Sequence, residues 1–506
     1  MSDHWASKTS KLDASSTIDA GHRAGGAESR RRFLECVTGG FGSLALSCLL
    51  HDDAARSAFG ETTAPSATAP STAIPSTMVP RAGHFPAKAK SVILLFQNGG
   101  PSQMDLCDYK PELQKRSGQF VRNIRGGNGD NEQKEPLMGS AFQFRPHGQS
   151  GLMFSELIPN LASLADDLCV VRSMYSTDPN HPGATYMMCS CSNRPGRPTL
   201  GAWTTYALGS DNQNLPGFVL LRDPAQFHSG GAMQVTNGWL PAMFRATEVR
   251  DEGSPVLNLN PNVPRPKSIQ DNNFRLLSLL NHRQQERYPD ESRLEARIQN
   301  YELAARMQLH AMQELDLSHE TAATQKLYGL DDPVAERYGR RLLMARRLVE
   351  RGVRFVQVLA PAPNWDHHDE LNKKLPVICR QVDQASAGLI TDLKQRGLLD
   401  QTLVIWAGEF GRLPTSQRGH GRNHNPHGFS ILMAGGGLRG GLAYGATDDF
   451  GYAAVEQRVG VPDLFATILH QLGLDHARVS FLHNSVEENV VDTRINKTRV
   501  ISDILT

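Results

Sequence analysis

Residues 91–102 read SVILLFQNGGPS. The opening run is apolar, includes branched residues and does not alternate, which suits a strand buried on both faces. NGGPS then supplies turn chemistry, so the strand ends in a loop. The same grammar recurs along the chain in LCVVR (168–172), VRFVQVLA (353–360), TLVIWAG (402–408) and FSILMAGGG (429–437). Between these runs the period changes. Leu157, Leu161, Leu164 and Leu168 predict a helix that leads into the second strand. RYGRRLLMARRLVERG (337–352) predicts a basic amphipathic helix closed by Gly352. Ile378, Val382, Ala385, Leu389 and Leu393 mark another helical face, stopped at Gly397. Strands alternating with helices predict an α/β fold around a mostly parallel sheet. Residues 266–330 are charged and carry no strand signal, which predicts a helical excursion with a solvated face. No internal repeat is visible.

The chain has 506 residues, 39% hydrophobic and 21% charged, an ordinary globular composition that excludes global disorder, collagen and a disulfide miniprotein. Its 53 basic and 52 acidic residues leave a net charge of +1, so bulk charge makes no case for nucleic acid. A mean hydropathy of -0.39 excludes a polytopic membrane protein.

The N-terminal region reads as an address. SRRRFLE (29–35) contains Arg30, Arg31, Phe33 and Leu34 in the order of a bacterial twin-arginine export signal. A short apolar segment, VTGGFGSLALSCLL, and small residues around ARSA (55–58) follow it. The segment is too short and glycine-rich for a stable transmembrane anchor. The expected partner is the twin-arginine translocase, and the expected location is the periplasm or cell surface. Residues 61–86, rich in Ala, Ser, Thr and Pro, read as an extended linker after a signal region of 1–60. A single folded domain is expected over 87–506. It keeps Cys107, Cys169, Cys189, Cys191 and Cys379 without zinc-like spacing, and these read as mostly buried thiols.

Ligands of parallel sheets bind beyond the carboxyl ends of the strands. After the first strand come Asn98, Gly99, Gly100, Ser102 and Asp105, and after the second Asn180 and His181. VRFVQVLA is followed by Asp366, His367 and His368, and TLVIWAG by Glu409 and Arg412. His424 and His427 stand just ahead of FSILMAGGG. Carboxylates with imidazoles suit a divalent metal such as zinc or manganese. Asp366 and His368, two apart, aim the same way in extended chain. Arg412 offers a fork of donors for an anionic group.

NGGPSQMDLCDYKPEL, NWDHHDELN, GEFGRLP, GRNHNPHGFSILMAGGGLRGG and VPDLFATILHQLGL resemble the DUF1501 family over nearly the whole chain from Ala87. Its members are frequent in planctomycetes and often carry a twin-arginine leader. The family looks like a branch of the alkaline phosphatase and sulfatase superfamily. That resemblance implies an alkaline phosphatase-like three-layer fold with divalent metal, zinc, manganese or calcium, at the strand ends. It implies Asp366, His368 and His424 as metal ligands, with Glu409 as a further ligand or a holder of water, and Asp105 or Asp108 as a substitute carboxylate. Phe410 stands where the superfamily has a partner histidine, and Asn98 where it has a first-strand aspartate. The nucleophile region offers Asn180 and His181, with Thr177 and Thr185 nearby, and the sulfatase signature is absent.

The implied activity is an exported metal-dependent hydrolase of a phosphate or sulfate ester, acting on a small-molecule or saccharide substrate. In that scheme Asn98, Arg412 and the NGGPS amides face the anion, and His181 is a general acid or base. Alternatives are a catalytically inactive periplasmic binding or scaffold member and a metal-dependent phosphomutase.

Overall fold

The computed structural model describes residues 78–122, 124, 135–223, 229–251, 266–288, 298, 302–303, 315–361 and 365–506. Arg30, Arg31, Phe33 and Leu34 of the export motif, and the linker up to residue 77, lie outside the described residues.

Among the described residues nine strands form the central sheet: β1 (Ser91–Phe96), β2 (Cys169–Tyr175), β3 (Phe218–Leu221), β4 (Thr247–Val249), β5 (Phe355–Leu359), β6 (Thr402–Ala407), β7 (Phe429–Ala434), β8 (Leu442–Tyr444) and β9 (Val459–Gly460). Their order is β8-β2-β7-β6-β1-β5-β3-β4, with β9 also pairing β2. β1 lies at the centre, parallel to β5 and β6. The other pairings are parallel too, except those of β7, which runs antiparallel to both β2 and β6.

The apolar runs are explained by burial on both faces. Side chains of a strand alternate between faces. Ile93 and Leu95 of β1 enter one core with Val404 and Trp406 of β6, and Val356 and Val358 of β5. Val92, Leu94 and Phe96 enter the opposite core with Leu403, Ile405, Phe355 and Leu359. Truncating such a leucine to alanine costs about 2–5 kcal/mol.

Helices cover both faces. On the first lie α4 (Glu336–Glu350) and α5 (Leu371–Gln395), which bury Leu342, Leu348, Ile378, Val382, Ala385, Leu389 and Leu393. On the second lie α2 (Leu200–Leu208) and α6 (Val461–Gln471), which bury Trp203, Leu464, Phe465 and Ile468. The expected α/β sheet with three layers is therefore present. Within 266–330 the described residues include α3 (Lys267–Arg287) and no strand.

One local expectation changes. The helix predicted from Leu157 to Leu168 is broken into a turn at Pro159–Ala162 and a 3-10 turn at Ala165–Asp167. Asp383 of α5 captures the amides of Asn160 and Leu161 at 2.8 Å, which holds a helix start there, and Leu164 leaves helical geometry. All five described cysteines are buried free thiols. Among the described residues no helix is long and apolar enough to cross a membrane.

Candidate metal centre

The sheet brings separate strand ends to one rim. β1 delivers Asn98–Ser102, β5 delivers Trp365–His368, and β6 delivers Glu409–Arg412. His181 is the first residue of α1 (His181–Ser190), which begins shortly after β2. β7 runs in reverse, so its beginning, not its end, meets that rim. Gly411–Arg412 and His424–Asn425 pair antiparallel, with His424 opposite Arg412.

At this rim His181, Asp366, His368 and His424 each offer a donor atom, and those atoms all lie within 4.8 Å of one another. Asp366 Oδ1 is the hub. It lies 2.9 Å from His368 Nε2 and 3.3 Å from the Nε2 of both His181 and His424. His368 Nε2 and His424 Nε2 are themselves 3.0 Å apart.

Each ring is held from behind by an oxygen on Nδ1. Glu409 Oε1 lies 2.7 Å from His181 Nδ1, the carbonyl of Pro179 lies 2.7 Å from His424 Nδ1, and Gln417 Oε1 lies 2.5 Å from His368 Nδ1. An oxygen acceptor there assigns the ring proton to Nδ1 and leaves a lone pair on Nε2. With all three rings neutral, three Nε2 lone pairs and a carboxylate thus converge. This is the usual arrangement behind a metal-ligating histidine.

The electrostatics follow. Burial would raise the Asp366 carboxyl, but the three imidazoles and Arg412 hold it far below the usual carboxylate range. Burial would lower His181, yet the contacts and charges of Asp366 and Glu409 lift it to about 9. Burial, with the positive charges of Arg412 and His181, lowers His424 despite Asp366. Burial and Arg412 push His367 down to about 4.

The donor set fits a divalent cation. His181 Nε2 is buried and faces the cluster, 3.3 Å from Asp366 Oδ1. His368 and His424 present nitrogens to each other whose protons are committed elsewhere. A cation among these atoms would satisfy all of them. Three nitrogens with one carboxylate suit zinc, and manganese less well. Calcium prefers an all-oxygen shell.

The structure sorts the other candidates differently from the sequence. Glu409 lies outside the donor group, buried behind His181, where it also accepts the Gly99 amide at 2.9 and 3.1 Å. Asp105 is not in the group either. Its carboxylate is clasped by the Arg422 guanidinium at 2.7 and 3.2 Å and by Ser102 Oγ at 2.5 Å, with Asp105 and Arg422 wholly buried. Arg412 is 1% exposed, and its guanidinium donates to the carbonyls of Gly99, Gly100 and Arg422 and, at 2.6 Å, to Asp366. It therefore buttresses Asp366 and presents no open fork to an anion. Asn98 is buried, its Nδ2 lies 3.5 Å from Gln234 Oε1, and its Oδ1 has no partner. His427 stands apart from the donor group, beside the Tyr452 ring. Thr185 is buried one turn after His181.

The glycines of the NGGPS loop serve the framework. Gly99 has φ 109°, and a Cβ there would meet the Asp366 amide nitrogen at 2.7 Å. At Gly100 a Cβ would meet the Phe410 ring at 2.6 Å. Phe410 stacks on His424 at 4.6 Å and lies 5.0 Å from His181, walling the rings from behind. Gln417 and the Pro179 carbonyl were not visible in the sequence. Nothing local marks a carbonyl or an amide as the partner of a distant ring.

Residues 89–505 match the family described as Protein of unknown function (DUF1501). No curated protein matches the chain. Among solved structures it is similar to the lipoteichoic acid synthase LtaP from Listeria monocytogenes, at 10% identity, covering 78% of this chain and 74% of that one, with a TM-score of 0.35. It is similar to the PsFucS1 sulfatase from Pseudoalteromonas sp., at 13% identity, covering 76% and 68%, with a TM-score of 0.31. It is also similar to an alkaline phosphatase from the Antarctic bacterium TAB5, at 9% identity, covering 76% and 98%, with a TM-score of 0.29.

Proposed function

The chain belongs to the DUF1501 family, and we propose that it is an exported, metal-dependent hydrolase of a phosphate or sulfate ester. The observation that carries this reading is the convergence of His181, Asp366, His368 and His424, each ring oriented through its Nδ1. These four residues would hold one divalent ion, zinc by preference. Such an ion supplies Lewis acidity toward an ester oxygen and makes water a stronger acid.

The protein's own groups prepare that chemistry. Glu409 keeps the His181 proton on Nδ1, and Arg412 balances the charge of Asp366. Phe410 excludes water from the back of the rings. The open side is formed by His368 and Asp366, whose side chains are 31% and 28% exposed, against 16% for His181 and 9% for His424. An ester would meet the centre from that side. The SRRRFLE motif supports delivery by the twin-arginine translocase to the periplasm or cell surface.

A second reading is a metal-holding member that binds without turnover. It is favoured by Arg412 and the Gly99 amide, which are spent on the protein itself rather than aimed at an anion. One experiment separates the two. The purified protein is analysed for bound metal, then assayed with aryl phosphate and aryl sulfate, with and without chelator. Chelator-sensitive turnover is the expected result. Stoichiometric metal with no turnover favours the binding member, and protein that takes up no metal removes both readings.

A further inference from the structure

We infer that Gln417 is a positioning residue whose side-chain amide selects the tautomer of His368 and so sets how tightly the centre holds a divalent cation. This rests on the metal reading above.

The three rings are not supported alike. His181 is held by Glu409, a buried carboxylate that is itself fixed by the Gly99 amide. His424 is held by a main-chain carbonyl. Both supports can only accept, so both rings have one tautomer available in the neutral state. His368 is held by a carboxamide, which can accept through Oε1 or donate through Nε2. With Oε1 toward the ring, Nδ1 carries the proton and the Nε2 lone pair faces Asp366 and His424. With the amide turned over, Nδ1 accepts and the proton moves to Nε2, aimed at Asp366 Oδ1, 2.9 Å away. That second state satisfies the carboxylate without a cation and blocks one donor position. Gln417 thus permits a cation-ready and a cation-free arrangement of the most exposed ring in the centre.

The placement of Gln417 is built, not incidental. It sits on a tight hairpin closed by Gln417 N to Gly421 O at 2.7 Å and Gly421 N to Gln417 O at 3.0 Å. The hairpin is stitched to the His368 segment by Leu371 N to His420 O at 2.9 Å and Arg422 N to His367 O at 3.1 Å. A Cβ at Gly421 would collide with the His368 carbonyl at 2.0 Å, so the two segments lie in direct contact. Arg418, Gly419 and His420 at the tip are exposed, and Gln417 is half-buried. A substitution at 417 therefore removes the amide without opening the core.

The test compares zinc affinity, by competition with a chromophoric chelator, in full-length parent protein, Gln417→Leu, Gln417→Glu and Arg418→Ala. Losing the partner behind a ligating histidine typically weakens metal about 10–100-fold. Gln417→Leu is expected to lose affinity in that range. Gln417→Glu, which can only accept, is expected to match or exceed the parent, and Arg418→Ala to leave affinity unchanged. Parent-like affinity in Gln417→Leu overturns the inference, as does equal loss in Gln417→Leu and Gln417→Glu, which would mean simple damage to the hairpin. Absence of zinc binding in the parent would instead remove the metal reading itself.

Discussion

His368 Nε2 and His424 Nε2 face each other at 3.0 Å, and each ring already has an oxygen on its Nδ1. In the neutral state two lone pairs would repel across that gap. Only a proton or a cation between them, drawn toward Asp366 Oδ1, makes the contact favourable.

The proton and the cation compete, which gives a pH dependence. His181 has its proton affinity raised to about 9. Below that pH the metal-free ring is largely an imidazolium, and a cation must displace its proton. Apparent zinc affinity should therefore climb with pH up to about 9, by about tenfold per unit. For metal-free protein the sign reverses. The shift is upward from 6.5, so its stabilising contribution is complete below that value and is lost as pH rises through about 9. Chelator competition and thermal melting across this range measure both, and a pH-independent affinity contradicts the arrangement.

Glu409 supports His181 through one oxygen and the Gly99 amide through both. Glu409→Gln keeps the shape and removes the charge. Zinc affinity should fall about 10–100-fold while the protein stays folded. Unchanged affinity, measured by the same competition, would mean that the carboxylate only braces the loop.

Asp105 should matter for stability and not for metal. It forms a wholly buried pair with Arg422, and removing one partner of such a pair costs about 3–5 kcal/mol. Asp105→Asn should lower the melting temperature and leave metal stoichiometry intact, as read by elemental analysis. Loss of metal with an unchanged melting temperature would restore Asp105 as a ligand.

The strands that build the site were legible because each is largely buried on both faces and so reads as a mostly apolar run. α4 and α5 were legible from their periodic faces, ended by Gly352 and Gly397. The broken helix near Pro159 was not, because its geometry depends on Asp383, which lies more than two hundred residues away. Asp366, His368 and His424 stood out as imidazoles and a carboxylate at strand ends. Arg412 and Asp105 stood out for the same reason, yet the fold spends both on internal ion pairs. A charged residue near a rim looks the same in sequence whether it faces solvent or a buried partner.

The alternation of apolar runs and amphipathic helices, read from the residues alone, determined a layered α/β protein and the strand ends that carry metal-capable side chains. Tertiary structure decided which of those side chains meet. β7 runs against its neighbours, and that reversal sets His424 on the same rim as Asp366. Tertiary structure also decided which nitrogen each ring presents, because the oxygens behind His368, His181 and His424 come from 49, 228 and 245 residues away. A ring's tautomer follows from its hydrogen-bond partner, and those partners exist only once the sheet has assembled.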